Sequence, residues 1–363
     1  MQSYCCKFLA LSIFFKKTMK QINAVDGVFE AGRRAALRRL GTVLAVGAAI
    51  GLPRQALAQT VTATSAYPTK PIRLIVPSAA GGAPDVICRV LTNELSVALG
   101  HPVIVDNKPG AGGAIGMSEL ARSQPDGYTL GYGNVVTLAI NKSLYSRLPY
   151  DPDTLTSIAL MGTVENALVV RNGLPVNNVK ELIAYAKANP GKLTMGSAGN
   201  GTTSHLGGEL FKSMTGTFIT HVPYRGSPMA IQDLIGGQID LMFDNISSIA
   251  PHIKNGRVRA LGVSGKRRSL VLAQVPTIDE AGVKGYETTA WGGIVGPKGV
   301  PDDIVARLNT EINRILASPG VREKYSQMAF ETMASPPNLL STLARLETPK
   351  WAEIVKRSGA SIE

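Results

Sequence analysis

Two loops of small residues hold the pattern most able to do chemistry in this chain. The first is Pro77-Ser78-Ala79-Ala80-Gly81-Gly82-Ala83-Pro84-Asp85. The second runs from Gly196-Ser197-Ala198-Gly199 through Asn200, Gly201, Thr202, Thr203 and Ser204 to His205. Each stands between a strand-like run and a helix-like run. Such loops expose backbone N–H groups, and each helix start adds roughly half a positive charge. Together they form an anion site without needing Arg or Lys. Facing each other across a cleft, two of them would clamp a small carboxylate. The plainer reading is turn glycine and helix capping, and spacing alone leaves both open.

Further polar residues follow strand-like runs and are candidates for the same crevice. Asn134 follows Tyr132-Gly133, Tyr224-Arg225-Gly226-Ser227 follows 218–222, and Asp244-Asn245 follows 239–243. Asp244 either caps the next helix or accepts a ligand amine. His205 reads as packing on its own helix start. Other chemistries lack their motifs. Gly110-Ala-Gly-Gly-Ala-Ile-Gly116 fails the dinucleotide spacing, and no Walker A sequence occurs. Gly196 directly precedes Ser197, so the Gly-x-Ser-x-Gly elbow is broken. A serine hydrolase using Ser197 and His205 is therefore a rival reading without its motif. The four His are scattered and show no zinc-ligand spacing. Cys88 reads as a buried small residue.

The elements that must position these loops alternate along the chain. Strands are predicted at 72–76, 103–106, 128–132, 167–170, 193–196, 218–222, 239–243, 259–263 and 288–295. Helices are predicted near 84–99, 113–122, 179–188, 203–214, 228–235 and 247–254. A long helix opens at Pro301-Asp302-Asp303, with Ile304, Leu308, Ile312 and Leu316 at i, i+4 spacing. A bent helix over 337–357 closes the chain. This is the rhythm of a parallel or mixed sheet covered by helices. In open α/β sheets the ligand crevice lies beyond the carboxyl ends of the strands.

The chain has 363 residues, 44% hydrophobic, with 38 Gly and 22 Pro. That excludes a disordered chain, a coiled coil and a disulfide miniprotein. The net charge of +12 is concentrated at the front. Residues 1–58 hold nine Lys or Arg against Asp26 and Glu30 alone, so +7 sits there and +5 in the remainder. Nucleic acid is therefore not an expected partner. The order of that segment is that of an export signal: Arg33-Arg34 and Arg38-Arg39, an uncharged stretch from Leu40 to Pro53, then Ala56-Leu57-Ala58. The arginine pair favours the twin-arginine route. Cleavage is expected after Ala58, with translation starting at Met1 or Met19, and a periplasmic product.

At this point the chain resembles the extracytoplasmic solute-binding proteins of tripartite tricarboxylate transporters, the Bug-type receptors. The likeness runs from about Tyr67 to Gly359. It is carried in order by Tyr67-Pro68-x-Lys70-Pro71-Ile72, Gly81-Gly82-x-x-Asp85, Asn107-x-Pro109-Gly110-Ala111-Gly112-Gly113 and Pro125-Asp126-Gly127-Tyr128. It continues through Leu148-Pro149-Tyr150-Asp151-Pro152, Gly196-Ser197-Ala198-Gly199, His221-Val222-Pro223-Tyr224, Val275-Pro276-Thr277 and Trp291-x-Gly293.

The resemblance implies an α/β, two-domain periplasmic-binding-protein (Venus-flytrap) fold, each domain a mixed sheet flanked by helices. The expected division is 67–163 with 290–363 as one domain and 164–289 as the other. It implies a receptor, not an enzyme, without cofactor or metal. Such a receptor, read as a monomer, captures a small carboxylate or related metabolite and delivers it to membrane transporter subunits. A sensor presenting its closed form to a signalling partner is the alternative. By carry-over, one ligand loop is Ala80, Gly81, Gly82 and Asp85, and the other is Ser197, Ala198, Gly199 and Thr202. Asn134 and Asp244 complete the expected ligand set. The chain departs from the family at Pro84, which brings neither hydroxyl nor N–H, and at Asp153-Thr154-Leu155.

Overall fold

The computed structural model describes residues 67–361. The expected export signal over 1–58, its cleavage after Ala58 and the choice of start lie outside the described residues.

The first half of the sheet is built on β1 (Ile72–Val76). It pairs in parallel with β2 (Val103–Asn107) on one side and β3 (Thr129–Asn134) on the other. Between them run α1 (Ala83–Leu99) and α2 (Ala114–Ala121). Pro84 stands in the first turn of α1, where its missing N–H is not needed. The helix stops at Gly100, which takes the left-handed conformation with φ 69°.

The chain then enters β4 (Thr156–Arg171), the longest strand, which changes partners midway. Residues 156–165 pair antiparallel with β9 (Thr289–Gly296). From Asn166 onward β4 pairs with β7 (Leu241–Asn245) and β8 (Val258–Val263). In this second half β5 (Thr194–Ser197) lies between β7 and β6 (Thr220–Pro223), parallel to both. The strand order is β2-β1-β3-β9-β4-β7-β5-β6. The helices here are α3 (Val179–Ala188), α4 (Thr203–Thr215), α5 (Ser227–Ile235) and α6 (Ile246–Lys254). The chain returns through β9 to α7 (Asp302–Ala317), α8 (Pro319–Gln327), β10 (Phe330–Thr332) and α9 (Leu339–Ser358).

Each half has its own apolar packing. Ile72, Leu74 and Val76 of β1 join Leu91 of α1 and Leu308 and Ile312 of α7, all buried. Leu168, Val170, Leu182, Phe211 and Phe243 join in the second half. Each such side chain contributes about 1.5–3 kcal/mol by leaving water, so the helix faces are pinned to the sheet. Cys88 is fully buried in the first cluster, and burial pushes its thiol well up.

The structure extends the expected strand at 167–170 back to Thr156, and adds α8, β10 and a π-turn at Val136–Ile140. Gly162, at φ 155°, sits in a register irregularity of β4. A Cβ there would meet the Glu331 carbonyl oxygen at 2.1 Å. The glycine lets β10 pair closely with β4, and it also interrupts the strand pattern. No helix among the described residues is long and apolar enough to cross a membrane.

Candidate functional site

The carboxyl ends of β1, β2, β3, β5, β6 and β7 open onto one cavity of about 410 Å³. Its wall includes the starts of α1 (Gly82, Ala83, Pro84), α4 (Thr202, Thr203, Ser204), α5 (Gly226, Ser227) and α6 (Asp244, Asn245). The segment Pro109–Gly113 before α2 joins them, as do Tyr132, Asn134, Val164, Ala290 and Trp291.

The first-turn N–H groups of a helix have no intrahelical acceptor. The usual remedy is a capping side chain. α1, α5 and α6 have none: their N-cap residues Gly82, Gly226 and Asn245 make no side-chain cap bond. α4 is capped, with the Thr202 hydroxyl accepting from the His205 N–H at 3.4 Å. Several positive helix ends therefore converge on one cavity, which suits an anion.

The sequence-predicted residues divide into two groups. Gly82, Asn134, Ala198, Gly199, Thr202 and Asp244 line the cavity, whereas Ala80, Gly81, Asp85 and Ser197 do not. The amides of the first loop are largely engaged internally. The Gly81 N–H donates to Asp85 Oδ2 at 2.8 Å, and the Gly82 N–H donates to the Ala79 carbonyl at 3.2 Å. Asp85 is buried and braces the loop, also pairing with Arg89 at 3.0 Å and accepting from Asn107 at 3.0 Å. Burial alone would raise its pKa. The bonds from Arg89, Gly81 and Asn107 outweigh burial and hold it below the usual carboxylate range.

Asn134 Oδ1 accepts from the Thr137 N–H at 3.1 Å, and that bond orients the amide. Its NH₂ end has no protein acceptor among the described residues. Asp244 accepts from the hydroxyls of Ser227 and Ser248. Burial pushes its pKa up to about 6, with the two hydroxyls and the Asn245 N–H opposing. Asp244 is not the α6 cap, since Asn245 holds that position. Arg225 lines the cavity and is exposed.

Ser197 does not pair with His205. Its Oγ lies 2.6 Å from His221 Nε2, and the Gly199 N–H donates to it at 3.2 Å. His205 Nδ1 accepts from the Gly201 N–H at 3.1 Å instead. The two imidazoles stack at 3.9 Å, nearly parallel. Ser197 is fully buried away from the cavity, so the Ser197–His205 hydrolase arrangement is not formed. The pair instead props the loop over 197–202 from behind.

Sequence reasoning missed Trp291, Tyr132 and the 109–113 loop as wall residues, whereas the expected run Tyr224-Arg225-Gly226-Ser227 does line the cavity. The usable signal was Gly110, Gly112 and Gly113, all at positive φ.

A family model, the tripartite tricarboxylate transporter family receptor, matches residues 87–360. The chain is similar to three solved structures. The R. palustris protein Rpa4515 with adipate is 36% identical, with a TM-score of 0.80, covering 81% of this chain and 99% of that one. The periplasmic binding protein BugD is 36% identical, with a TM-score of 0.78, covering 82% and 100%. MatC from Rhodopseudomonas palustris with bound malate is 31% identical, with a TM-score of 0.75, covering 80% and 100%. The mixed α/β architecture described above is the two-domain fold of these periplasmic binding proteins.

Proposed function

The chain belongs to the tripartite tricarboxylate transporter receptor family, and from that premise we propose that it is a periplasmic receptor for a small organic carboxylate. The family is one of solute receptors, and the chain is not an enzyme. The ligand sits in the cavity of about 410 Å³, within the usual size of small-molecule sites, roughly 300–1,000 Å³. The observation that carries this reading is the convergence of α1, α5 and α6 on that cavity without side-chain caps. Their first-turn amides, with the Asn134 NH₂, supply neutral donors for an anion. Gly82, Ala198, Gly199 and Thr202 form the two opposing walls, and Asp244 stands at the second lobe's edge of the site.

We place the lobe boundaries near 163 and 290, close to where β4 exchanges β9 for β7 and β8. Closure of the lobes on the ligand is the working step. Contacts that exist only in the closed form shift the open–closed equilibrium by their differential affinity. The closed form then delivers its ligand to membrane transporter subunits. The relatives solved with adipate and with malate favour a dicarboxylate.

A thermal-shift screen of the mature chain tests this against mono-, di- and tricarboxylates, amino acids and aromatic acids. A ligand at 100 times its Kd stabilises by about 2.7 kcal/mol. At roughly 2–4 °C per kcal/mol that is a rise of several degrees. A selective shift with carboxylates is the expected result. No shift with any acid, after refolding to strip bound ligand, would overturn the reading.

A further inference from the structure

Tyr132 lines the cavity and is 3% exposed, yet its hydroxyl makes no hydrogen bond among the described residues. A buried tyrosine hydroxyl ordinarily has a partner. Nor is this oxygen sealed off by protein, as the unpartnered hydroxyls of Ser78 and Ser118 are.

Strand pairing fixes where the hydroxyl points. Tyr132 on β3 stands opposite Ile294 of β9, and Asn134 stands opposite Gly292. The place a Cβ on Gly292 would take is occupied by Tyr132 Oη and Cζ. The ring therefore leans from its own level to that of Asn134, toward the carboxyl end of β3, where the cavity opens. Residues two apart on a strand share a sheet face, so Tyr132, Asn134, Gly292 and Ala290 face the same way. Val164 of β4, opposite Ala290, joins them. Tyr132, Asn134, Ala290 and Val164 all line the cavity, and Gly292 lies beneath the hydroxyl. Directly opposed residues hold their Cβ positions about 4.5–5.5 Å apart. The hydroxyl over Gly292 thus stands beside the Asn134 side chain, whose NH₂ also lacks a protein acceptor among the described residues.

We propose that the Tyr132 hydroxyl, beside the Asn134 amide, is a ligand-binding donor that reads an acceptor oxygen at the end of the solute lying against the sheet. This rests on the carboxylate-receptor reading above. It adds the residue that separates dicarboxylates from monocarboxylates of equal length. The uncapped helix starts hold one carboxylate, and Tyr132 with Asn134 holds the other. Val164 and Ala290 flank the carbon chain between. Burial holds the phenol above its ordinary pKa, so it stays a neutral donor. A monocarboxylate sets a methyl group against the hydroxyl and leaves it dehydrated and unpaired.

The test uses the mature chain with ¹³Cζ-labelled tyrosine. Tyr132→Phe removes one resonance and so identifies it. Adipate at saturation is expected to move that resonance. In calorimetry, Tyr132→Phe should bind adipate about tenfold or more weakly, the size of one hydrogen bond to a charged group. Hexanoate, with the same chain length and one carboxylate, should bind the variant as it binds wild type. Without ligand the variant should melt no lower than wild type, since the hydroxyl it lacks has no partner in the protein. If the variant binds adipate as wild type does, or the resonance stays in place on saturation, the inference fails. It fails too if both acids weaken by the same factor, because the residue then only packs. Where another acid from the screen binds in place of adipate, both measurements are made with that acid. If no acid shifts the melting temperature of wild type, the receptor reading itself has failed and this inference falls with it.

Discussion

Gly226 lies directly against Ala79: a Cβ on Gly226 would stand 2.7 Å from the Ala79 Cβ. The two residues belong to different halves of the sheet. Ala79 follows β1 and Gly226 precedes α5, and both line the cavity. A similar approach occurs beside it, where a Cβ on Gly81 would stand 3.6 Å from Pro228 Cγ. Gly226 also has φ 145°, a conformation that side chains rarely adopt. Contact between the halves at this mouth therefore depends on a missing side chain. Gly226→Ala should weaken adipate binding by about tenfold or more, since about 1.4 kcal/mol is tenfold. Calorimetry reads the affinity. Small-angle scattering should show the liganded variant more expanded than liganded wild type. An unchanged Kd and radius of gyration would remove this contact from the closing step.

Asp85 supports the first loop rather than the ligand. Replacing it with Ala leaves the Gly81 N–H and the Asn107 NH₂ without their buried acceptor. Each such loss costs about 1–3 kcal/mol. Asp85→Ala should lower Tm by about 5 °C or more, at roughly 2–4 °C per kcal/mol. Asp85→Asn keeps one acceptor oxygen and should recover part of the loss. Thermal melts of both variants without ligand check this. If both variants melt as wild type does, the bracing role is excluded.

The strands and helices that frame the site were legible because their apolar residues dominate short runs or recur at helical spacing, with only single polar residues such as Arg73 and Asp240 between them. Ile72–Val76 and the Ile304, Leu308, Ile312 and Leu316 stripe fall where the sequence pattern predicts them. The first half of β4 was not legible. Gly162 interrupts its pattern, and the polar Glu165-Asn166 step falls where the strand changes partners. The two ligand loops were visible as strand, small residues, helix. Their internal wiring was not. Ser197 meets His221 because β5 lies beside β6, and Asp244 meets Ser227 because α5 starts beside the end of β7. Trp291 was visible only as part of a family pattern. Nothing in its neighbours along the chain says that β9 faces the cavity.

His221 should make the protein acid-sensitive. Burial, reinforced by the stacked His205, pushes its pKa down to about 4 from an ordinary 6.5. The folded state therefore binds fewer protons than the unfolded state between those values, and stability rises with pH across that window. Its contribution is complete above pH 6.5 and is lost as pH falls toward 4. Each tenfold difference in proton affinity between the folded and unfolded states corresponds to about 1.4 kcal/mol. His221→Gln should flatten the dependence of Tm on pH between 4 and 6.5. An identical slope in the variant would show that other groups set it.

Asp244 works in the opposite sense. Burial raises its pKa from 3.8 to about 6. Its folded form holds a proton that the unfolded form has already lost between pH 4 and 6. Stability from this group is therefore present at low pH and declines as pH rises through 6. The same charge faces the cavity, so an anionic ligand meets less repulsion when Asp244 is protonated. Affinity for adipate should then fall as pH rises from 6 to 8, beyond the range where adipate itself titrates. Asp244→Asn removes the charge, keeps one oxygen to accept from one of the two serine hydroxyls, and turns its NH₂ toward the other, which can accept from it. It should bind adipate more tightly than wild type at pH 8 and lose most of the pH dependence. Calorimetry of the two proteins at pH 6 and 8 decides the matter. Weaker binding by Asp244→Asn at pH 8 would mean that the carboxylate accepts a hydrogen bond from the ligand instead of repelling it.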